Sequence, residues 1–250
     1  MVNKSKERYE DYYKSAALFM SFSPGYKWIA GLLDELFEKI KPDSIKSILD
    51  VGCGEGVKTH FLKTRFDDAA VLGIDFSGSA IEAAKAFDNI PDLEFRLVEA
   101  DDSSVWDREY DMISAFEILE HIDDWKSLLD TFVQHSSKYL LITVPTGRMR
   151  KFETHLGHLR NFKKNEIEDY LAERNFLPVD VFYAGFPFLS PISRDVMNLF
   201  FKFQQKNIEN AARPSILTKI YSKTLYFLYE YCSTRHRFGD QFLGLFQKQS

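Results

Sequence analysis

The stretch Ile48-Leu-Asp-Val-Gly-Cys-Gly-Glu-Gly56 constrains this chain more than any other. An apolar run reaches an acid at Asp50 and breaks into glycines at 52, 54 and 56. Alternating glycines let a backbone reverse sharply after a buried strand and approach a ligand more closely than a residue bearing a Cβ can. Strand, glycine turn and following helix together make a nucleoside-cofactor loop. The dinucleotide fingerprint is spaced G-x-G-x-x-G, and here the third glycine comes one residue early.

Charge narrows the ligand. In a dinucleotide site the pyrophosphate rests on the N-terminus of the helix after the turn, where a neighbouring carboxylate such as Asp50 would repel it. S-adenosylmethionine has no phosphate, and its sulfonium and ammonium, set against one carboxylate, suit an acidic strand end. Asp50, Gly52 and Gly54 are therefore assigned to that cofactor. Asp75 ends the next strand about 20 residues beyond the glycines, the interval at which a carboxylate meets ribose hydroxyls, and it can accept from two of them at once. The competing role for Asp75 is to cap the helix after Ser77-Gly78-Ser79. Asp101 and Asp102 are read as closing the third strand, where a carboxylate can accept from the adenine amino group. Asp-Asp-Ser-Ser also makes a turn readily, and both readings can hold together. Phe116, just past the fourth strand, is placed to pack on the cofactor or in the core.

A chain of 250 residues, 45% of them hydrophobic, can bury one good core. Strands are expected at 47–51, 71–75, 94–98, 110–115 and 139–144, alternating with helices near 58–64, 79–87 and 125–134. That alternation predicts an α/β fold, a doubly wound, mostly parallel sheet with its ligand crevice at the carboxyl ends of the strands. Ahead of it, residues 4 to 40 read as helical, with Trp28, Leu32, Leu33, Leu36 and Phe37 on one face and Pro42 as the stop. Tyr9, Tyr12 and Tyr13 there are candidates for a lid over the cofactor or for plain helix packing. After Pro145 come a basic loop, a helix over 164–174, a strand over 179–183 and a last strand over 241–246. Between these two strands lies a helical insertion, with Val196, Leu199, Phe200 and Phe203 on one apolar face and Leu217, Ile220, Leu225 and Leu228 on another. The units expected are an N-terminal helical segment (1–42), a Rossmann-like core (43–185), an inserted helical cap (186–238) and the last core strand (239–250).

The polar start excludes a signal peptide, and no apolar run approaches the roughly 20 residues that cross a bilayer, so a cytoplasmic protein is expected. Cys53 and Cys232 are too few for a disulfide framework and read as free thiols. The net charge of −5 conceals an asymmetry. Residues 1–145 hold 16 Lys+Arg against 27 Asp+Glu, whereas residues 146–250 hold 16 against 10. An acidic first part fits a cationic cofactor, and a basic second part suits an anionic acceptor or surface.

ILDVGCGEG, GIDFS, EADD and YDMISAFEILEHIDD resemble the first, ribose, adenine and fourth-strand motifs of class I S-adenosylmethionine-dependent methyltransferases. GHLRNFKKNEIEDYLAERNF resembles the His-Leu-Arg plus helix segment of many small-molecule members. The similarity covers about residues 45 to 185. It implies a seven-stranded sheet with its last strand antiparallel, transfer of a methyl group, and Phe76 of the ribose motif beside the cofactor.

Methyl transfer to oxygen needs a base. His121, at the carboxyl edge after the fourth strand, is the leading candidate, with His158 and His155 as rivals and Arg160 to hold an anionic acceptor. Glu117, Glu120 and His121 read as one helical face, E-x-x-E-H, resembling the divalent-metal motif of ubiquinone-pathway O-methyltransferases and small-RNA 2′-O-methyltransferases. The same letters occur in members that use no metal, and no metal ligand is assigned. The expected function is O-methylation of a sugar, nucleotide-sugar or secondary metabolite by a monomer or homodimer that binds no DNA. The alternatives are an RNA 2′-O-methyltransferase, against which the absence of a dense basic stripe counts, and a non-catalytic adenosylmethionine-binding partner. The cap is expected to wall the acceptor pocket, with a dimer contact or an anionic membrane as its other uses.

Overall fold

The computed structural model describes residues 23–199 and 216–249. Its first helix, α1 (Pro24–Phe37), starts where Pro24 fixes the first helical φ and the Ser23 hydroxyl accepts from the Tyr26 N–H. The chain then alternates through β1 (Ser47–Val51), α2 (Val57–Arg65), β2 (Ala70–Asp75), α3 (Gly78–Ala84), β3 (Leu93–Leu97) and β4 (Tyr110–Phe116). Next come α4 (Trp125–His135), β5 (Ser136–Pro145), α5 (Lys151–Leu156), α6 (Glu166–Ala172), β6 (Phe176–Ala184), α7 (Ile216–Cys232) and β7 (Gln241–Lys248).

Seven strands form one sheet in the order β3-β2-β1-β4-β5-β7-β6. All neighbours run parallel except β7, which is antiparallel to both β5 and β6. This is the Rossmann-like α/β architecture expected, with the antiparallel last strand. The order reverses between β1 and β4, and a crevice opens at their carboxyl ends. Parallel strands covered on both faces are apolar throughout. One core holds Leu49, Val51, Ile113 and Leu140 beneath α4 and α6. The other holds Ile48, Met112 and Leu141 beneath α1, α2 and α7.

Several expectations are corrected. The helix read over residues 4 to 40 has a boundary at Ser23-Pro24 and ends at Phe37, and Pro42 opens a 3-10 turn. Residues 4 to 22, with the three tyrosines, lie outside the described residues, as do Phe200 and Phe203. The basic loop after Pro145 contains a helix, α5, that no apolar period announces. Asp101 and Asp102 do not close β3, which ends at Leu97. In the insertion, Val196 is 41% and Leu199 77% exposed, so these two do not form a buried face.

α1 is anchored in the second core. Trp28 is fully buried and its ring lies 6.0 Å from that of Tyr229 on α7. Replacing it should leave a large cavity under the sheet. Trp28→Ala is expected to cost about 3–5 kcal/mol in urea unfolding with an unchanged m-value, whereas exposed Leu177→Ala stays within about 0.5 kcal/mol.

Candidate active site at the carboxyl edge of the sheet

The glycine turn is fixed from three sides. The N–H groups of Gly52 and Cys53 both donate to the Ile74 carbonyl, at 2.8 and 2.9 Å, which ties the turn to β2. Gly52 sits at φ +70°, and a Cβ there would fall 2.1 Å from the Ile118 side chain on the loop after β4. Any other residue type would strain at this φ and have to displace the Ile118 side chain. The Gly54 N–H donates to Asp75 at 2.9 Å, and the Ser77 N–H donates to the second Asp75 oxygen at 2.9 Å. Ser77, not Asp75, caps α3, since its hydroxyl accepts from the Ala80 N–H.

Asp50 takes a different place from the one expected. It is wholly buried, and its oxygens accept from the hydroxyls of Thr59 on α2 and Ser114 on β4, each at 2.7 Å. It lies under the crevice and not on its surface. Burial pushes its carboxyl up to about 6, although the two hydroxyls and Lys58 pull the other way. Burial, followed by the Asp50 and Asp75 carboxylates, also pushes the Cys53 thiol up, so Cys53 is no nucleophile. Phe116 is 5% exposed in the second core, with the Lys58 ammonium 5.1 Å from its ring centre. Phe76 is half-buried beside Asp75. Asp101 is exposed, and Asp102 folds back on its own turn, accepting from the Ser104 N–H at 2.8 Å; the Ser104 hydroxyl and then this N–H lower its pKa.

Sequence reasoning missed two neighbours of the turn. Tyr26, from the first turn of α1, has its hydroxyl held protonated by burial and then by Glu55 and Asp50. Glu55 is 6% exposed with one oxygen buried and without a hydrogen-bond partner. Burial of these two depends on contacts between distant elements, which no local period encodes.

The other wall follows β4. Glu117 adopts φ +59° and donates its N–H to the Thr143 carbonyl, while its carboxylate accepts from the Gln241 amide at 2.8 Å. A 3-10 turn, Leu119–His121, comes next. Glu117 is thereby set apart from Glu120 and His121, and the single helical face expected for the three does not form. The segment after α5 reaches this turn. The Leu159 N–H donates to the Glu120 carbonyl at 2.8 Å, and Arg160 donates to the carbonyls of Ile122 and Asp123. Arg160 is thus engaged as a clamp between the two segments.

That clamp brings His158 to His121, their rings 4.7 Å apart and nearly perpendicular. Burial, then the neighbouring His158, pushes His121 down to about 4, and burial also lowers His158. Both imidazoles are neutral at pH 7. Glu120 lies beneath them, wholly buried, with an oxygen 3.9 Å from His121 Nε2 and neither oxygen accepting a hydrogen bond. Burial and then Glu117 hold its pKa well above the usual carboxylate range. Ligand atoms of Glu120, His121 and His158 all lie within 4.8 Å of one another, a spacing able to hold a metal ion. His155 stands exposed on the last turn of α5, outside this group.

The family described as methyltransferase domain matches residues 24–181, from α1 into β6. The chain belongs to this family. Trans-aconitate 2-methyltransferase of Methylobacterium radiotolerans is 34% identical over 97 residues, 38% of this chain and 35% of that protein. Ubiquinone biosynthesis O-methyltransferase of Neisseria meningitidis is 31% identical over 83 residues, 32% of this chain and 34% of that protein. The match thus spans about a third of the length of these curated relatives. The solved magnesium protoporphyrin IX methyltransferase of Synechocystis, with bound S-adenosylmethionine, shares the fold at a TM-score of 0.54 and 13% identity, covering 98% of this chain and 97% of that one.

S-adenosylmethionine is the cofactor of such a methyltransferase domain, and the residues present fit it. Asp50, Glu55 and Asp75 surround the turn with carboxylates, a set that suits sulfonium and ammonium groups and repels phosphate. The raised Asp50 has a consequence for stability. A folded-state value of about 6 against 3.8 means that the protonated form stabilises the fold fully below about pH 4, and that this contribution is lost as pH rises through 6. The unfolding free energy of the wild type, relative to Asp50→Asn, should therefore fall by roughly 2–3 kcal/mol between about pH 4 and about pH 7 in urea titrations.

Proposed function

We propose that this chain is an S-adenosylmethionine-dependent O-methyltransferase acting on the hydroxyl of a small molecule such as a sugar, nucleotide-sugar or secondary metabolite. The observation that carries the reading is the pair of neutral, half-buried imidazoles, His121 and His158, where the segment after α5 meets the turn that follows β4. When bound, the cofactor supplies an electrophilic methyl group, so the chain's own residues have only to hold the acceptor in line, exclude water and remove a proton. His121, uncharged at neutral pH, accepts the hydroxyl proton as the methyl bond forms. His158 fixes its ring edge-on. Glu117, held by Gln241, places a carboxylate on this wall, which opposes the phosphate backbone of an RNA acceptor. The oxygen preference is supported by the relative whose name specifies O-methylation. The same reading keeps a cytoplasmic location, and the basic residues 146–250 draw an anionic acceptor to the edge.

A second reading is favoured by Glu120, whose two buried oxygens accept no hydrogen bond. With His121 and His158 it makes a mixed oxygen and nitrogen set for a divalent cation.

Calorimetry should show binding of both S-adenosylmethionine and S-adenosylhomocysteine. His121→Ala and His158→Ala are expected to lower kcat by roughly 10²–10⁴-fold, with His155→Ala unchanged. The acid limb of kcat/KM should lie near pH 4 rather than near the ordinary 6.5 of an imidazole. Under the leading reading EDTA leaves turnover intact. Loss of turnover on EDTA treatment, restored by Mn²⁺, would transfer the role of this cluster from proton acceptor to cation holder.

A further inference from the structure

Large apolar side chains are exposed mainly in one part of the fold. Of the fifteen exposed among the described residues, ten lie between Phe186 and Phe238, in the insertion. On α7 they form a stripe: Ile220, Phe227 and Tyr231 are 57, 55 and 72% exposed and spaced at helical intervals of seven and four. The opposite side of α7 is the attached one, where Tyr229 is buried against Trp28 and its hydroxyl is 2.7 Å from that of Ser193. The stripe therefore points away from the core.

Charge decides what the stripe fits. Lys219 and Lys223, four residues apart, run beside it, both exposed and in no ion pair among the described residues. The described acids of the insertion are already matched: Glu230 pairs with Arg235 at 2.7 Å, and Asp195 pairs with Arg148 and Arg150. An apolar, aromatic row edged by these two exposed lysines complements a surface that is apolar within and anionic above. A second copy packed on it about a two-fold axis would bring these lysines toward their own equivalents, which disfavours a dimer. No described helix is long and apolar enough to cross a membrane.

We propose that the outer face of α7 docks on an anionic lipid bilayer, lying in the interface with Ile220, Phe227 and Tyr231 among the upper acyl chains and the two lysines at the headgroups. The insertion leaves the sheet after β6 and returns at β7, where Gln241 bonds Glu117. The docked face is thus joined to the edge that carries the two histidines.

Sedimentation of the full chain with vesicles of phosphatidylcholine mixed with phosphatidylglycerol, against phosphatidylcholine alone, tests this. The chain should partition onto the mixed vesicles, less so as salt rises. Lys219→Gln and Lys223→Gln should each weaken partitioning roughly five-fold, and Phe227→Ser and Tyr231→Ser more than roughly ten-fold. Leu177→Ser, exposed on β6, should leave it unchanged, as should cofactor calorimetry across all these variants, which keeps this test separate from the proposed activity. Absence of sedimentation, equal sedimentation with both vesicle types, or a dimer in light scattering that Phe227→Ser dissolves would each overturn it.

Discussion

A carboxylate is buried where the strand order reverses, and the arrangement around it depends on that carboxylate being satisfied. Asp50 joins three elements distant in sequence, accepting from Thr59 on α2 and Ser114 on β4 while itself ending β1. An unpaired carboxyl at this depth would cost several kcal/mol. The two hydroxyls therefore do more than cap it. They tie α2 to the seam between β1 and β4, beneath the glycine turn. The same burial that raises its pKa leaves its negative charge under the turn once it ionises, close to where a cationic cofactor would rest.

Much of the framework was legible in the residues because parallel strands covered on both sides must be apolar and must stop at turn formers. Ser47–Val51 and its glycine turn illustrate this: five residues and three glycines define strand, reversal and helix start. The aspartates were legible as types but less so as neighbours. Asp75 stands at the strand end as its spacing requires, whereas Asp50 turns inward, because which side of a strand tip faces solvent is fixed by α2 and β4 and not by β1. Glu117 shows a second limit. The letters E-x-x-E-H suit one turn of helix, yet φ at Glu117 is +59° and only Leu119–His121 coils, as a 3-10 turn. Tertiary bonds to Thr143 and Gln241 override local preference there. Likewise α5 is six residues long and has no apolar period of its own. Its start is made by Glu153 accepting from the Arg150 N–H, and by Arg194, which reaches Glu153 from the beginning of the insertion.

Those last contacts belong to a buried ionic network. Arg150 and Arg194 share Glu153 and Asp240, Arg150 also pairs with Asp195, and Ser190 adds its hydroxyl. Buried pairs of this kind contribute little net stability, since desolvation offsets their attraction, but each partner is intolerant of losing the others. Their effect here is registration: the loop after β5, the beginning of the insertion and the start of β7 can close together in only one way. The positions of His158 and Gln241 follow from that closure.

The clamp between residues 118–123 and 158–160 divides the edge of the sheet into two halves of different construction. One half is strand tips and a glycine turn, held by the bonded N–H groups of Gly52, Cys53, Gly54 and Gly56. The other is two irregular segments stapled to each other by Arg160 and by a single main-chain bond at Leu159. Shape on the second side can thus be rewritten residue by residue while the first keeps its grip, so a lineage built on this scaffold is free to exchange its clients without relearning how to hold its reagent.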